Sequence, residues 1–506
     1  MATSALPARS GTPSSLEEGS VGKKHAAGAE AQPQQSSSLR RRVQRIAQGL
    51  CEQTGIEPLP VEARTSTNVG NVGFLWASAN MNVLSFSSGT LAPLLGLGLV
   101  PSLVVIPIFA AFCCLFPALI SVWGPRTGMR QLVLCRYSWG YYPVAVIVVL
   151  GTAGQIGYCI LNSILAGQTL AAASVGGNLS ITVGIVVSVI ISLVLSFSGI
   201  RVLHFFERYS WLVVLPVFVA LTAVAGSGPD GLHIPAEEPA LAPRPVLSMG
   251  SLLAGYLISW SIMSTDYSLY LEPRTSPVKL FTYVWSGFFF STTPLFMLGA
   301  AFACSAADVP AWSAALEISN GELFLEVFGR GAGARFANVI LALSVIGNVA
   351  PTFYSFGLSI MTLPIPRLHA VPRFLFPLLA TAITMPLAIV GASRFATTLS
   401  NFLAVLGYWS VLYVAVLIVE HYVIRRGDYD SYNAEAWASP RLLPTGLAAL
   451  AAGILSLGLQ IPFYDQTLFT GPLAERSGDL GFEVGLVLCA ILYVPLRILD
   501  KRIFGR

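Results

Sequence analysis

Charge is what this chain has least of. Lys, Arg, Asp and Glu make up 11% of its 506 residues, against 54% hydrophobic residues. A soluble domain carries about 25% charged residues. The deficit excludes soluble multidomain readings, because apolar blocks fill it, most of them reaching the ~20 residues that a helix needs to cross hydrocarbon. Metal and redox patterns are missing as well. The seven cysteines show no ligand spacing. Cys113 and Cys114 adjoin in one apolar block, and Cys159 and Cys489 lie in others, so they read as small buried hydrophobes. There are five histidines, and none pairs with Glu as a zinc-site helix requires. No metal is therefore expected. No Gly-x-x-x-x-Gly-Lys-Ser/Thr loop is present, which argues against transport driven by ATP bound to this chain. The absence of a nucleophile with its base argues against a membrane enzyme. No apolar stretch before residue 72 reads as a cleaved signal peptide.

What is present are twelve apolar runs, near 72–97, 100–122, 143–170, 180–198, 210–227, 248–271, 281–304, 333–362, 374–393, 396–419, 443–462 and 484–499. They predict an all-α integral membrane protein with twelve transmembrane helices, since an open sheet edge cannot be satisfied in lipid. If the N-terminus is cytoplasmic, 24 of the 29 Lys and Arg residues fall on the inner side, leaving Arg244, Arg330, Arg335, Arg394 and Arg476 outside. That asymmetry supports an even span number with both termini inside. The net charge of +4 is then a topology signal and implies no nucleic-acid partner; the partner is the bilayer. Residues 1–54 are expected to form a disordered cytoplasmic tail, since 1–38 are rich in Ser, Pro, Gln, Gly and Ala. The basic stretch 39–53 within it fits either an amphipathic helix on the inner leaflet or a plain basic tail. A transporter domain follows over 55–499, and a cytoplasmic tail over 500–506. Outside, 310–331 have helical periodicity and suggest a lid or interfacial helix.

Two spans look interrupted. The first holds Asn80, Asn82, Gly89, Pro93 and Gly96, and the sixth holds the hydroxyl-rich segment SWSIMSTDYS, 259–268. Matched broken helices in corresponding positions of two halves point to a transporter site at the membrane midplane. Polar stripes mark the third and eighth spans. Gln155, Tyr158 and Asn162 share one helical face, and Ser344, Asn348, Thr352 and Ser355 recur at near-helical spacing beside Pro351. An amide offers donors and an acceptor in one plane, which suits the edge of a nitrogen heterocycle. Tyr158 and Trp260 can cover its flat faces. Each amide can equally serve as interhelical hydrogen-bond glue, and Tyr158 alone as packing.

The segments GIEPLPVEART (55–65), WGPRTGMRQLVLCRYSWGYYP (123–143), LNSILAGQTL (161–170), NVAPTFYS (348–355) and EHYVIRRGDYDSYNAEAWASPRLLPTG (420–446) resemble the fungal purine–cytosine permease branch of the nucleobase–cation symporter-1 family. The similarity runs from about residue 55 to the C-terminus. It implies a five-helix inverted-repeat core of the LeuT type, with halves near 70–227 and 248–420, plus two extra helices near 443–499. It implies a ligand between the first, third, sixth and eighth spans, with the family's binding positions falling on Ser85, Asn162, Trp260, Asn348 and Pro351. Two positions depart from the pattern: a tryptophan usual in this branch is Tyr158, and the second asparagine of an Asn-Asn pair is Val349. Both are expected to touch or adjoin the substrate, which leaves the identity of the base open.

The function implied is proton-coupled import of cytosine or a purine across the plasma membrane, with no cofactor beyond the proton gradient and with sodium as an alternative ion. Vitamin B6 and nucleoside or allantoin carriers of the same family are the alternative. A non-transporting sensor is a remote one. Asp266 reads as the one acid well inside an apolar span. A bilayer penalises such a group by several kcal/mol, and two roles stay open for it: proton coupling, or a structural acceptor for free backbone amides or a loop arginine.

Overall fold

The computed structural model describes residues 55–506 apart from 198–199, 229–230 and 467–468. The expected tail and basic helix over 1–54 lie outside the described residues. Each of the twelve apolar runs coincides with helix, and no strand longer than an isolated bridge occurs among the described residues. Among the helices are α1 Gly70–Asn80, α2 Val83–Gly89, α3 Leu99–Cys113, α4 Val144–Ala173, α5 Ile181–Phe197, α6 Ile200–Ser227, α7 Pro243–Ile258 and α8 Pro277–Ser305, with four shorter ones between Leu115 and Trp139. There follow α9 Pro310–Ile318, α10 Asn320–Phe328, α11 Ala332–Met361, α12 Leu375–Gly391, α13 Phe395–Val419, α14 Leu447–Gln460 and α15 Gly481–Phe504. Eight stretches among the described helices are long and apolar enough to cross a bilayer; one, Leu375–Ile424, holds both α12 and α13. Val83–Leu95, Ile181–Phe197 and Leu447–Phe463 are apolar but shorter. Length and composition thus single out fewer segments than the apolar runs do. The first run is cut in two by its break, and a single turn of 3₁₀ helix joins the ninth to the tenth.

The break between α1 and α2 is built by asparagines. Met81 and Asn82 leave the helical region, with Asn82 at φ −148°, ψ 173°. The Asn82 carboxamide oxygen accepts from the backbone N–H groups of Leu84 and Ser85 at 2.9 and 3.2 Å, an N-cap. Its amide group donates back to the Ala79 carbonyl at 2.7 Å. Asn82→Ala removes the cap and should destabilise the fold by about 0.5–2 kcal/mol. Thermal unfolding of the detergent-purified protein checks this; an unchanged Tm contradicts it.

The sixth span is not broken as expected. α7 tightens without a gap into a 3₁₀ helix over Ser259–Tyr267. Ser264 Oγ donates to the Trp260 carbonyl at 3.1 Å and Ser259 Oγ to that of Tyr256 at 3.3 Å. Such back-bonding competes with the helical ladder, so the hydroxyls rewind this segment instead of opening it.

Glycines set where the broken span lies. A Cβ at Gly89 would sit 2.0 Å from the Phe296 carbonyl oxygen, and one at Gly299 1.9 Å from that of Phe86. α2 and α8 therefore touch backbone to backbone. The helix expected over 310–331 is supplied by α9 and α10, and α10 packs against α2. The α10 residues Leu323, Phe324 and Leu325 are fully enclosed, Phe324 meets Phe86 edge-on at 5.0 Å, and Asn320 Nδ2 donates to Ser87 Oγ at 2.8 Å.

The two long loop motifs, 123–143 and 420–446, pack together. Arg425 donates to the Tyr137 carbonyl at 3.0 Å. Arg136, buried, donates to the carbonyls of Thr362 at 2.7 Å and Trp437 at 2.9 Å, and that burial lowers its guanidinium pKa from the ordinary value. Glu420 accepts from Arg425 at 3.0 Å, Arg497 at 3.1 Å and the Tyr493 hydroxyl at 2.9 Å. Glu420, Asp479 and Asp500 are all buried, whereas Asp266 is only half-buried. The first three lie at helix ends or in loops, where sequence position alone shows no burial. All six described cysteines are buried and unpaired.

Candidate functional site

α4 and α11 run side by side at the centre of the molecule, flanked by the α1–α2 break and the 3₁₀ segment after α7. Two of the cavities along α11 lie beside these elements. The larger, about 370 Å³ with its mouth, is walled by the Gly151, Gly154, Gln155 and Tyr158 face of α4, by Ser259, Trp260, Ile262 and Met263 of the 3₁₀ segment, and by Thr352, Leu406 and Trp409. The smaller, about 240 Å³, lies between Ser78 and Ala79 of α1, Ser210 of α6, and Ser344, Gly347, Asn348 and Pro351 of α11.

Tyr158 and Trp260 form one wall together. Their rings stack at 5.6 Å between centroids and 23° between planes, and Trp76 meets Trp260 edge-on at 5.6 Å. The Tyr158 hydroxyl is held by Ser259 Oγ at 3.0 Å and the Tyr256 carbonyl at 3.2 Å. The indole N–H of Trp260 is buried without a partner among the described residues.

The two asparagines form a relay from the helix break. Asn348 Nδ2 donates to the Ala79 carbonyl at 2.7 Å, one of the acceptors that the break releases from the helical ladder. Asn348 Oδ1 accepts from Asn162 Nδ2 at 3.2 Å, and that same amide nitrogen donates to the Tyr158 carbonyl at 3.0 Å. The pair keeps one buried group without a partner among the described residues, Asn162 Oδ1. An unpaired buried carbonyl costs about 1–3 kcal/mol, so the relay presents an acceptor in want of a donor.

The structure brings Tyr158 and Trp260 to the larger cavity and Asn348 and Pro351 to the smaller, with Asn162 bonded between the two helices. It does not bring Ser85 to either cavity. Ser85 is fully buried; its hydroxyl donates to the Asn80 carbonyl at 2.5 Å and meets the Tyr256 hydroxyl at 2.8 Å, closing the turn after the break. Val349 is likewise not beside the cavities. One residue beyond Asn348 is about 100° around the helix, and there Val349 packs with Ile156, Cys159 and Phe353 in an apolar cluster. Asp266 also lines neither cavity. Its Oδ1 accepts from the backbone N–H of Gln131 at 2.7 Å, while Gln131 Oε1 accepts from the backbone N–H of Thr265 at 3.3 Å. The carboxylate thus ties the end of the 3₁₀ segment to the N-terminus of the short helix Gln131–Leu134. Sequence reasoning did not find Trp409 or Leu406 of α13. Nor did it single out Ser78 and Ser210.

Residues 58–485 match the model of a family described as permease for cytosine/purines, uracil, thiamine, allantoin. The purine-cytosine permease fcyB of Emericella nidulans is 32% identical over 473 residues, covering 92% of each chain. The vitamin B6 transporter TPN1 of Saccharomyces cerevisiae is 27% identical over 513 residues, covering 90% of this chain and 88% of that one. Among solved structures, the nucleobase-cation-symport-1 family transporter Mhp1, closed with bromovinylhydantoin bound, superposes with a TM-score of 0.69 at 14% identity, covering 90% of this chain and 96% of that one. That likeness establishes a shared fold. With the family model spanning most of its length and a relative alike from end to end, the chain belongs to the family of permeases for cytosine and purines, uracil, thiamine and allantoin.

Proposed function

We propose that this chain is a symporter that imports a small planar nitrogen heterocycle, cytosine or a purine base, across the plasma membrane together with protons. The observation that carries the reading is the larger cavity, walled by the flat rings of Tyr158 and Trp260 and lying one helical turn from the Asn162–Asn348 relay. A base has a flat face for the rings, worth about 1–3 kcal/mol by stacking. It also has N–H groups for the free Asn162 oxygen. In this reading the helices form twelve crossings with both termini cytoplasmic, two five-helix repeats and two additional helices. The names of the relatives support a base or a vitamin B6 ring as cargo, and Tyr158 in place of a tryptophan leaves the choice between them to experiment. Uptake of radiolabelled cytosine, adenine, guanine, hypoxanthine and pyridoxine into permease-null cells tests the reading. Saturable uptake of cytosine or a purine is expected, and a profile dominated by pyridoxine would replace the cargo.

For the driving ion we propose the proton, with sodium as the alternative, and Asp266 as the carboxylate that carries it. Protonation weakens a carboxylate as an acceptor and so loosens the Gln131 bond that ties the 3₁₀ segment to the short helix Gln131–Leu134. Asp266→Asn keeps an acceptor but fixes the charge at zero. It should preserve substrate exchange and lose accumulation driven by a pH gradient. Normal pH-driven accumulation by this variant would leave Asp266 a purely structural acceptor.

A further inference from the structure

We infer that Gln155 is a specificity determinant whose side-chain carbonyl receives a hydrogen bond from an amino group of the transported heterocycle. The inference rests on the base-carrier reading above and adds to it which edge of the base is read. Gln155 lies one turn before Tyr158 on α4, lines the larger cavity and is 5% exposed. Its amide nitrogen donates to Ser359 Oγ of α11 at 3.1 Å, which fixes the side chain and turns the carbonyl away from that partner. Gln155 Oε1 is buried and has no partner among the described residues.

The other polar groups of this cavity narrow the choice. Thr352 Oγ donates to the Asn348 carbonyl at 2.8 Å. The hydroxyls of Tyr158 and Ser259 bond to each other and to the Tyr256 carbonyl. Two buried side-chain groups on these walls are left without a partner among the described residues, the Gln155 carbonyl and the Trp260 indole N–H. One is an acceptor and one a donor. Cytosine and adenine offer the complement, an exocyclic amino donor beside a ring-nitrogen acceptor. Uracil and hypoxanthine carry a carbonyl where the amino group stands and a ring N–H where the acceptor stands, so in the same orientation an oxygen faces the Gln155 carbonyl and an N–H faces an indole N–H, and neither pairs. A site built to pair a polar group discriminates strongly against the analogue that fails to pair it.

The test compares two pairs of bases, cytosine with uracil and adenine with hypoxanthine, as competitors of radiolabelled base uptake in permease-null cells at matched surface level. The wild-type chain should favour the amino member of each pair. Gln155→Leu, similar in size but without the acceptor, should raise the inhibition constants of cytosine and adenine about tenfold or more and leave uracil and hypoxanthine within about twofold. Gln155→Glu keeps an acceptor at the position and should retain the amino preference. A shift of all four bases by the same factor in Gln155→Leu would assign the residue to packing and overturn the inference. So would unchanged constants, or a wild-type preference for the carbonyl members. If the wild type takes up no base at all, the base-carrier reading fails; if it takes up bases but shows one of those three results, the inference alone fails.

Discussion

Gly89→Val should leave almost no transporter at the cell surface. A side chain at this position would begin 2.0 Å from the Phe296 carbonyl oxygen, and the reciprocal contact, Gly299 against the Phe86 carbonyl, is just as close. Both partners are backbone in the middle of packed helices, so no side chain can swing aside. Relief requires moving α2 away from α8. That displaces Ser85, the turn at Asn82 and the ring of Phe86, which packs on Phe218, Phe302 and Phe324. Ordinary overpacking of a core costs about 1–3 kcal/mol, and a forced separation of two helices costs more than that. Set against total stabilities of about 5–15 kcal/mol, the loss is large enough to route the chain to degradation. Surface fluorescence of a tagged protein reads it. Normal surface level together with normal uptake would contradict the backbone crossing between α2 and α8.

Trp260→Ala should abolish measurable uptake, while Trp260→Phe should retain part of it. The indole stacks on Tyr158, contacts Trp76 edge-on and walls the larger cavity. Alanine removes the face on which a flat ring would lie, a loss of about 1–3 kcal/mol for a base, or roughly five- to more than a hundredfold in KM. It also lets Tyr158 and Trp76 relax into the vacated space. Phenylalanine keeps an aromatic face but lacks the indole N–H, so part of the affinity survives. Initial-rate kinetics at matched surface level separate the two variants. If alanine and phenylalanine behave alike, the ring does not act by stacking.

The elements were legible because lipid leaves little choice. Runs of about twenty apolar residues became α4, α8 and α11 with ends displaced by only a few residues, and Asn80 and Asn82 announced the break that asparagine caps then close. The sixth span misled because a cluster of hydroxyls reads the same whether the helix unwinds or tightens; the outcome depends on which carbonyls Ser259 and Ser264 find. The site was legible to the extent that its residues sit on polar stripes. Tyr158, Asn162 and Asn348 stand out against apolar neighbours, and the structure sets Asn162 on Asn348. Ser85 and Val349, positions supplied by the resemblance, line neither cavity: Ser85 bonds to Asn80 and Tyr256, and Val349 joins an apolar cluster. For Asp266 the sequence showed an acid inside a span but not its partner, because the Gln131 backbone N–H lies 135 residues away in the chain.

The most direct measurement is uptake into proteoliposomes that contain only this chain, with an inward proton gradient and radiolabelled cytosine or adenine outside. The account predicts accumulation of the base above its external concentration. That accumulation should collapse when a protonophore removes the gradient and be absent for Trp260→Ala. Proteoliposomes that hold the correctly folded chain yet move neither cytosine nor any purine, with or without the gradient, would contradict it.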